Sequence, residues 1–247
     1  MFYASVEYCG GLGNQLFQFF TLLNYCIETQ KIPVLEYAET SPSVTKRATY
    51  WESVFSSFKN FSKITDGVKV QVTQNFVYVD LPNLPSNVVL DGYFQSYKFF
   101  SNYFCEIKSF LKFEEKIETV KEKYFSDFLR KKDEKEILVS VHFRLGDYKR
   151  LQHDHPLLPI SYYEKSLNFF SGKKIKILYF CEEEDADYIE KEYLPKLGVA
   201  DSAVRVWSSI PDWEQLFLMS LCDWNIIANS TFSWWGAYLN KKTCYLQ

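Results

Sequence analysis

Blocks of apolar residues alternate along the chain with amphipathic stretches, which predicts strands separated by helices. An apolar run at residues 2–8 leads into a glycine turn, and from Asn14 onward apolar side chains recur at helical spacing. These helical positions are Leu16, Phe19, Phe20, Leu23 and Ile27. A further apolar run at residues 32–35 predicts the next strand. A strand–helix–strand order of this kind indicates a parallel sheet.

The middle of the chain is less regular. Residues 38–66 are polar and predict a loop or short helices bordering a cleft, whereas residues 68–79 and 88–90 predict short strands. Residues 114–136 are the most charged stretch but keep an apolar stripe at helical spacing. The stripe consists of Ile117, Val120, Tyr124, Phe125 and Phe128. We therefore interpret residues 114–136 as an amphipathic linking helix.

The second half repeats the alternation of strands and helices. Strands are predicted at residues 137–143, 175–180, 204–207 and 224–228, with the beginning of another at 243–246. Helices are predicted at residues 161–170, 184–197, 212–221 and 231–239. The pattern predicts an α/β fold with parallel sheets, and two such halves that face each other fit it better than one sheet: residues 1–113 and residues 137–247.

Composition narrows the class of protein. Hydrophobic residues make up 47% of the 247 residues and charged residues 24%, with only 9 Gly and 8 Pro, which excludes collagen-like, low-complexity and disordered chains. Aromatic residues are abundant, with 22 Phe, 18 Tyr and 6 Trp. This excess indicates either an aromatic-rich core or a surface that stacks on flat or sugar-like ligands.

Charge and cysteine content indicate which binding partners and which cellular compartment to expect. With 28 Lys and Arg against 31 Asp and Glu, the chain lacks a broad basic field, so no nucleic acid is expected as a partner. The six cysteines are interpreted as reduced, mostly buried thiols. They are Cys9, Cys26, Cys105, Cys181, Cys222 and Cys244. Because neither a signal peptide nor an apolar stretch of about 18 residues is visible, we expect a cytoplasmic protein without a membrane span.

The glycine turn Gly10–Gly13 follows a strand and opens a helix, where backbone N–H groups and the helix dipole favour an anion. It is not the dinucleotide-binding G-x-G-x-x-G pattern, because Leu16 stands at the third glycine, and no Gly-Lys-Ser/Thr of a phosphate-binding loop follows. The turn is therefore either an anion site or only a tight strand–helix connection.

Polar residues follow the apolar strand that starts at residue 137. His142 and Arg144 lie at its carboxyl end, where open α/β sheets bind ligands, and share one face of an extended chain. The guanidinium of Arg144 offers a fork of donors to phosphate oxygens. The alternative for this Arg-x-Gly-Asp turn is a structural salt bridge.

A third candidate lies at residues 226–236. An apolar strand delivers Asn229, Ser230 and Thr231 to a helix N-terminus, where hydroxyl and backbone N–H groups favour an anion. The alternative is an ordinary helix cap, with Trp234 and Trp235 in the core.

Two further segments are weaker candidates for a metal site. His153-Asp154-His155 is either a metal-ligand fragment or, better supported, a polar loop without a paired ligand cluster. The acidic run Glu182–Asp185 is interpreted as a solvated helix start, with a metal-binding carboxylate pair as the minority alternative. No metal site is therefore expected.

Taken together, five segments in order resemble glycosyltransferase family 11, the α-1,2-fucosyltransferases. They are Gly10–Gln18 (GGLGNQLFQ), Gly92–Ser96 (GYFQS), His142–Tyr148 (HFRLGDY), Leu218–Asp223 (LMSLCD) and Asn229–Trp235 (NSTFSWW). The resemblance implies a glycosyltransferase B-type fold, with two Rossmann-like halves whose parallel sheets face a cleft. It also implies inverting transfer of L-fucose from GDP-β-L-fucose to a galactose-like acceptor, with no metal or other cofactor. The partners it implies are a nucleotide sugar and a glycan acceptor. Residues 1–113 would then be the acceptor-side domain and residues 137–247 the donor-binding domain.

The same resemblance assigns roles to individual residues. Arg144 would bind the diphosphate as the sugar departs. Asp147 is a candidate catalytic base, although it could equally stabilise the turn of the motif. The other donor-binding residues implied are Gly13, Asn14, Gln15, His142, Asn229, Ser230, Thr231, Phe232 and Ser233. The aromatic residues that would line the nucleotide-sugar cleft are Tyr93, Phe94, Tyr148, Phe232, Trp234 and Trp235, while most others, Phe125 among them, are expected in the core.

Two departures from the family pattern keep alternatives open. The family has two adjacent arginines, and here the second is Leu145; Lys149 or Arg150 could compensate. The segment Cys181-Glu182-Glu183 replaces a more usual Ser-Asp-Asp. The alternatives are transfer of another nucleotide-activated deoxyhexose, or a non-catalytic sugar-binding protein on the same fold.

Overall fold

The chain forms two compact units, Met1–Glu115 and Lys116–Gln247, in a computed structural model. The structure describes residues 1–41, 46–74, 76–131, 133–242 and 245–246. Several predicted segments therefore lie partly outside the described residues, namely at 42–45, Asn75, Lys132, Thr243, Cys244 and Gln247. The division into an acceptor-side and a donor-binding domain stays a prediction.

The first unit is built on a parallel four-stranded sheet. Its strands are β1 (Tyr3–Glu7), β2 (Ile32–Pro33), β3 (Val68–Gln71) and β4 (Val88–Asp91). They lie in the order β2-β1-β4-β3, and each neighbouring pair is parallel. The predicted strand–helix–strand unit is confirmed.

Helix α1 (Leu12–Thr29) crosses between β1 and β2 and is buried over most of its surface, since aromatic side chains surround it. Phe19 stacks on Phe55 with ring centroids 4.2 Å apart, and Phe20 meets Phe100 edge-on at 5.5 Å. A short helix, α2 (Phe104–Phe110), packs on the same core. Part of the aromatic excess is thus the core of this unit.

The second unit is built on a parallel five-stranded sheet. Its strands are β5 (Ile137–His142), β6 (Ile175–Phe180), β7 (Ala203–Arg205), β8 (Trp224–Ile226) and β9 (Tyr245–Leu246). Their order is β7-β6-β5-β8-β9, with parallel pairing throughout. The predicted α/β fold with parallel sheets is confirmed.

Within the described part of the chain, six α-helices follow α2. They are α3 (Phe113–Tyr124), α4 (Ile160–Asn168), α5 (Ala186–Tyr188), α6 (Leu194–Lys196), α7 (Asp212–Ser220) and α8 (Thr231–Tyr238). The predicted helix at 184–197 is confirmed as a helical segment that runs to Lys196, although it is not α-helical throughout. A π-helical segment at Ile189–Tyr193 separates α5 from α6, and Pro195 has no N–H to continue the α-helical hydrogen bonds.

Helix α3 is continued by a π-helical turn at Phe125–Leu129. The prediction that Phe125 belongs to the core is wrong, because half of its side chain is exposed. Tyr124 and Phe128 lie four apart on the buried stripe, and Phe125, one residue on, is rotated by about 100° away from it.

None of the described helices combines the length and apolar character that a membrane crossing requires. The cytoplasmic location stays a prediction.

Gly236 tests the packing of the second unit, because α8 approaches α7 closely at this residue. A Cβ atom at Gly236 would lie 2.7 Å from Met219 Cβ and 2.9 Å from its Sδ. In an uncrowded helix Gly→Ala adds about 1 kcal/mol of stability, whereas overpacking costs about 1–3 kcal/mol. We expect Gly236→Ala to lower the free energy of unfolding measured by urea denaturation; an increase would contradict the observed close approach.

Candidate active site

The polar motifs of the second unit meet at one edge of its sheet. Strand β5 pairs in parallel with β6 on one side and with β8 on the other. The loops that follow these three strands therefore leave the sheet at the same edge. They carry three of the segments singled out in the sequence, at 142–148, 181–185 and 229–233.

Arg144 lies at the centre of this edge, with its side chain only 16% exposed. Its Nη2 donates to Oδ1 of Asp147 at 2.6 Å, and its Nη1 donates to a carboxylate oxygen of Glu182. The guanidinium also lies over the ring of Tyr148, 4.8 Å from the centroid. The predicted phosphate-binding arginine is thus held by two carboxylates and an aromatic face in this structure.

The acidic run Glu182–Asp185 opens a helical segment as predicted, and its first three residues are exposed. The prediction of a solvated side chain is wrong only for Asp185. Glu182 pairs with Arg144, Glu183 pairs with Arg205, and Asp185 is fully buried. Sequence reasoning missed Glu182 and Asp185 as parts of the site. The signal available was their position directly after a buried strand beside β5.

His142 ends β5 and is buried. Its Nδ1 has no hydrogen-bond partner, and its ring lies 5.6 Å from the ring of Phe232. Burial, with a smaller contribution from the charge of Arg144, lowers the pKa of His142 to about 3. The imidazole is therefore neutral at physiological pH and cannot supply a positive charge to a bound anion.

Helix α8 begins at the same edge, directly after β8. The Ser230 side chain makes no capping hydrogen bond, whereas the buried Ser233 hydroxyl accepts the Ala228 N–H at 3.2 Å. The Asn229 side chain donates to the Pro156 carbonyl at 2.8 Å. Ser233 and Asn229 thus shape the turn, and Thr231 and Phe232 form the first residues of the helix.

Tyr148 connects these loops. Its hydroxyl donates to the Asn229 carbonyl at 3.2 Å, and its ring stacks on His155 at 4.7 Å. His155 is exposed and contacts the same tyrosine ring over which Arg144 lies. Among the residues that the structure describes, no three His, Cys, Asp or Glu side chains are grouped so that they could hold a metal ion.

The first unit brings together the other two motifs. Gln95 donates to Asn14 Oδ1 at 2.9 Å, and Gln18 donates to the Gly92 carbonyl at 3.0 Å. Gln15 is buried and donates to the carbonyls of Gly10 and Ala48, at 2.9 and 2.8 Å. Gly13 is buried in the first turn of α1. The glycine turn is thus a hydrogen-bonded loop, and donor contacts by Gly13, Asn14 and Gln15 stay predictions.

Two of the six aromatic side chains expected to line a cleft do not reach a surface. Phe94 and Trp235 are fully buried. The ring of Phe94 meets Phe99 edge-on, and the ring of Trp235 meets Trp234 edge-on. For these two rings the core interpretation is correct. The other four are partly exposed: Tyr93, Tyr148, Phe232 and Trp234.

Leu145, which stands where the family has its second arginine, is buried in the core of the second unit. It shares that core with Val139 and Tyr163. Its side chain therefore contributes packing at a position where the family carries a charge.

The family of the chain follows from a comparison over its whole length. The model described as Glycosyl transferase family 11 matches residues 4–246. The chain belongs to glycosyl transferase family 11. The predicted family is thereby confirmed.

Among related family members, the O-antigen biosynthesis glycosyltransferase WbnK of Escherichia coli is 37% identical over 106 residues, 41% of this chain and 34% of that protein. An α-1,2-colitosyltransferase of Escherichia coli is 31% identical over 106 residues, 42% and 36% of the two chains. A galactoside 2-α-L-fucosyltransferase of Caenorhabditis elegans is 25% identical over 278 residues, 95% and 66%. The matched region spans about a third of the length of each of the two bacterial proteins.

Solved structures support the fold. Fucosyltransferase NodZ from Bradyrhizobium is 9% identical, with a TM-score of 0.54 and coverage of 97% of this chain and 94% of that one. A variant of FUT1 from Arabidopsis thaliana in complex with GDP is 12% identical, with a TM-score of 0.52 and coverage of 97% and 68%. At these identities the likeness concerns the fold alone. The predicted glycosyltransferase B-type fold class is confirmed.

Burial of neutral His142 makes the stability of this family 11 chain depend on pH. The unfolded chain protonates His142 below pH 6.5, whereas the folded chain does so only near pH 3, so folding becomes less favourable as pH falls between these values. We expect His142 to contribute a slope of about 1.4 kcal/mol per pH unit there. Unfolding free energies of the wild type and of His142→Gln between pH 4.5 and 6 test this, and equal slopes would contradict it.

Proposed function

We propose that this family 11 member is an inverting α-1,2-fucosyltransferase, transferring L-fucose from GDP-β-L-fucose to the 2-hydroxyl of a galactose-like acceptor without a metal ion. The observation that carries the proposal is the placement of Arg144 at the carboxyl ends of β5 and β6, beside the start of α8. The names of the nematode relatives and the GDP bound to the Arabidopsis structure support the substrate class.

The chemistry of a departing diphosphate suits this edge of the sheet. The bond between fucose C1 and the β-phosphate oxygen breaks with its electron pair on the oxygen, and the leaving GDP gains negative charge. A guanidinium and the N–H groups of a helix start stabilise that charge. Glu182 is more exposed than Asp147, so a diphosphate would replace Glu182 on Arg144 and leave the contact with Asp147 intact.

The remaining donor contacts follow the same geometry. His142 is buried against Phe232, and its contact with the nucleotide rests on the family resemblance. Ser230, Thr231 and Phe232 lie at the start of α8, where phosphates and nucleotide would bind. Asn229 and Ser233 support that turn through their backbone contacts. The contribution of Gly13, Asn14 and Gln15 rests on the family resemblance.

The acceptor hydroxyl attacks C1 from the face opposite GDP, so that the β-configured donor gives an α-linked product. Its proton passes to a base, for which Asp147 is the candidate. The 2.6 Å contact between Asp147 and Arg144 equally supports a role in orienting the guanidinium.

The second candidate function is transfer of another nucleotide-activated deoxyhexose. Two observations favour it: the likeness to a colitosyltransferase, and the burial of Leu145 at the position of the second arginine. Lys149 is engaged by Asp185, so Arg150, which is exposed, is the remaining cation of this turn that could compensate.

A donor and acceptor panel separates the candidates. Purified protein is incubated with GDP-fucose, GDP-colitose and other GDP-deoxyhexoses together with β-galactosides, and the product linkage is assigned by NMR. We expect transfer from GDP-fucose to O-2 of galactose. Turnover with GDP-colitose alone would replace the first proposal by the second, and acceptor binding without turnover would favour a sugar-binding protein.

Arg144→Ala should abolish transfer, since an oriented charge that stabilises the leaving group contributes at least about 3 kcal/mol, or more than 100-fold in rate. The matched control is Arg130→Ala, which removes a guanidinium from the exposed end of the π-helical turn after α3. Initial rates with saturating acceptor measure both. More than a tenth of wild-type activity in Arg144→Ala would refute the assigned role.

Metal independence is tested by chelation. Transfer rates measured after dialysis against EDTA should equal those of untreated enzyme. In the proposed reaction Arg144 and the N–H groups at the start of α8 stabilise the negative charge of the leaving diphosphate in place of a metal ion. A loss of activity that Mg²⁺ or Mn²⁺ restores would show that a metal ion takes part.

A further inference from the structure

Asp185 is a fully buried carboxylate that the proposed reaction does not use. It follows β6 by five residues, at the end of a 3₁₀ turn that starts at Glu183. One oxygen accepts the backbone N–H of Gly146 at 2.7 Å, and the other pairs with the ammonium of Lys149. Both partners belong to the turn that begins directly after Arg144 and Leu145.

The contacts of Asp185 fix the backbone of that turn. Gly146 has a φ of +33°, a conformation that glycine adopts freely because it has no Cβ, and its N–H donates to Asp185 in this conformation. A carboxylate removed from water is costly unless it is hydrogen-bonded and paired, and both contacts of Asp185 go to this one turn.

Glu182, three residues before Asp185, contacts the residues at the start of the same turn. It pairs with Arg144 itself, and its Cγ would lie 3.1 Å from a Cβ at Gly146. The segment 182–185 therefore holds both the side chain of Arg144 and the backbone that follows it. When a diphosphate displaces Glu182 from Arg144, the contacts of Asp185 remain.

We propose that Asp185 is a positioning residue, which keeps the Arg144 turn in its binding geometry through Gly146 and Lys149 while the guanidinium exchanges Glu182 for the donor diphosphate. The inference rests on the proposed function for its effect on the donor, but the order of Arg144 can be measured without any ligand.

The experiment compares full-length wild type, Asp185→Asn and Asp185→Leu, with Asp187→Asn as the control. Asp187 is exposed on the next turn and pairs with Lys191. Asparagine keeps an acceptor for the Gly146 N–H and loses the charge that faces Lys149, whereas leucine removes both. The readouts are the heteronuclear NOE of Arg144 Nε, assigned from its absence in Arg144→Lys, the affinity for GDP by calorimetry, and thermal unfolding.

We expect the Arg144 NOE to fall in Asp185→Leu, and by a smaller amount in Asp185→Asn, while Asp187→Asn matches the wild type. GDP affinity should fall about tenfold in Asp185→Leu and about threefold in Asp185→Asn. In an Arg144→Ala background, replacing Asp185 should weaken GDP binding no further, which a purely structural role would not produce.

An unchanged Arg144 NOE in both Asp185 variants would overturn the proposal, whether or not GDP binds. An Asp185 variant in which the Arg144 NOE falls but the affinity for GDP is unchanged would also overturn it. If the wild type does not bind GDP, the proposed function fails, and the NOE alone decides whether Asp185 orders Arg144. If Asp185→Leu does not fold, Asp185→Asn decides.

Discussion

The guanidinium of Arg144 lies between the carboxylates of Asp147 and Glu182, and the rest of the candidate donor site is arranged around these two contacts. A charged group that is mostly removed from water needs compensating charge, and unpaired it would be strongly unfavourable. The protein supplies that compensation from its own side chains. In the proposed reaction a diphosphate would replace part of it, so that donor binding would be an exchange of anions on one cation.

Parallel strand pairing makes this exchange possible. Because β5 lies between β6 and β8, the loops with Arg144, with Glu182 and with Ser230 leave the sheet at one edge. Strand β5 itself is buried along most of its length. The helix start, the neutral imidazole of His142 and the guanidinium are thereby presented together without any metal ligand set among the described residues.

Much of the fold could be predicted from the sequence, because buried parallel strands are continuous apolar runs with helical stripes between them. The positions of Arg144, His142 and Ser230 at strand ends followed from the same pattern. What periodicity could not show was the direction of individual side chains. Phe125 differs from Tyr124 by one helical position and is exposed, and Asp185 differs from Glu184 by one position and is buried. Such differences depend on tertiary packing, here on the turn at Gly146 that receives the Asp185 carboxylate.

Leu145 shows how the departure from the family pattern is accommodated. A second arginine at this position would place a guanidinium among Val139, Phe143 and Tyr163, unless the backbone turned it outward. Leucine instead packs into that core directly before the turn, and the Asp185 carboxylate accepts the N–H of Gly146 within the turn. The local charge is therefore more negative than two arginines would make it, since Asp147 and Glu182 share one guanidinium. Under the proposed function, donor affinity would therefore depend more on how well Arg144 is positioned, and less on the number of cations around the diphosphate.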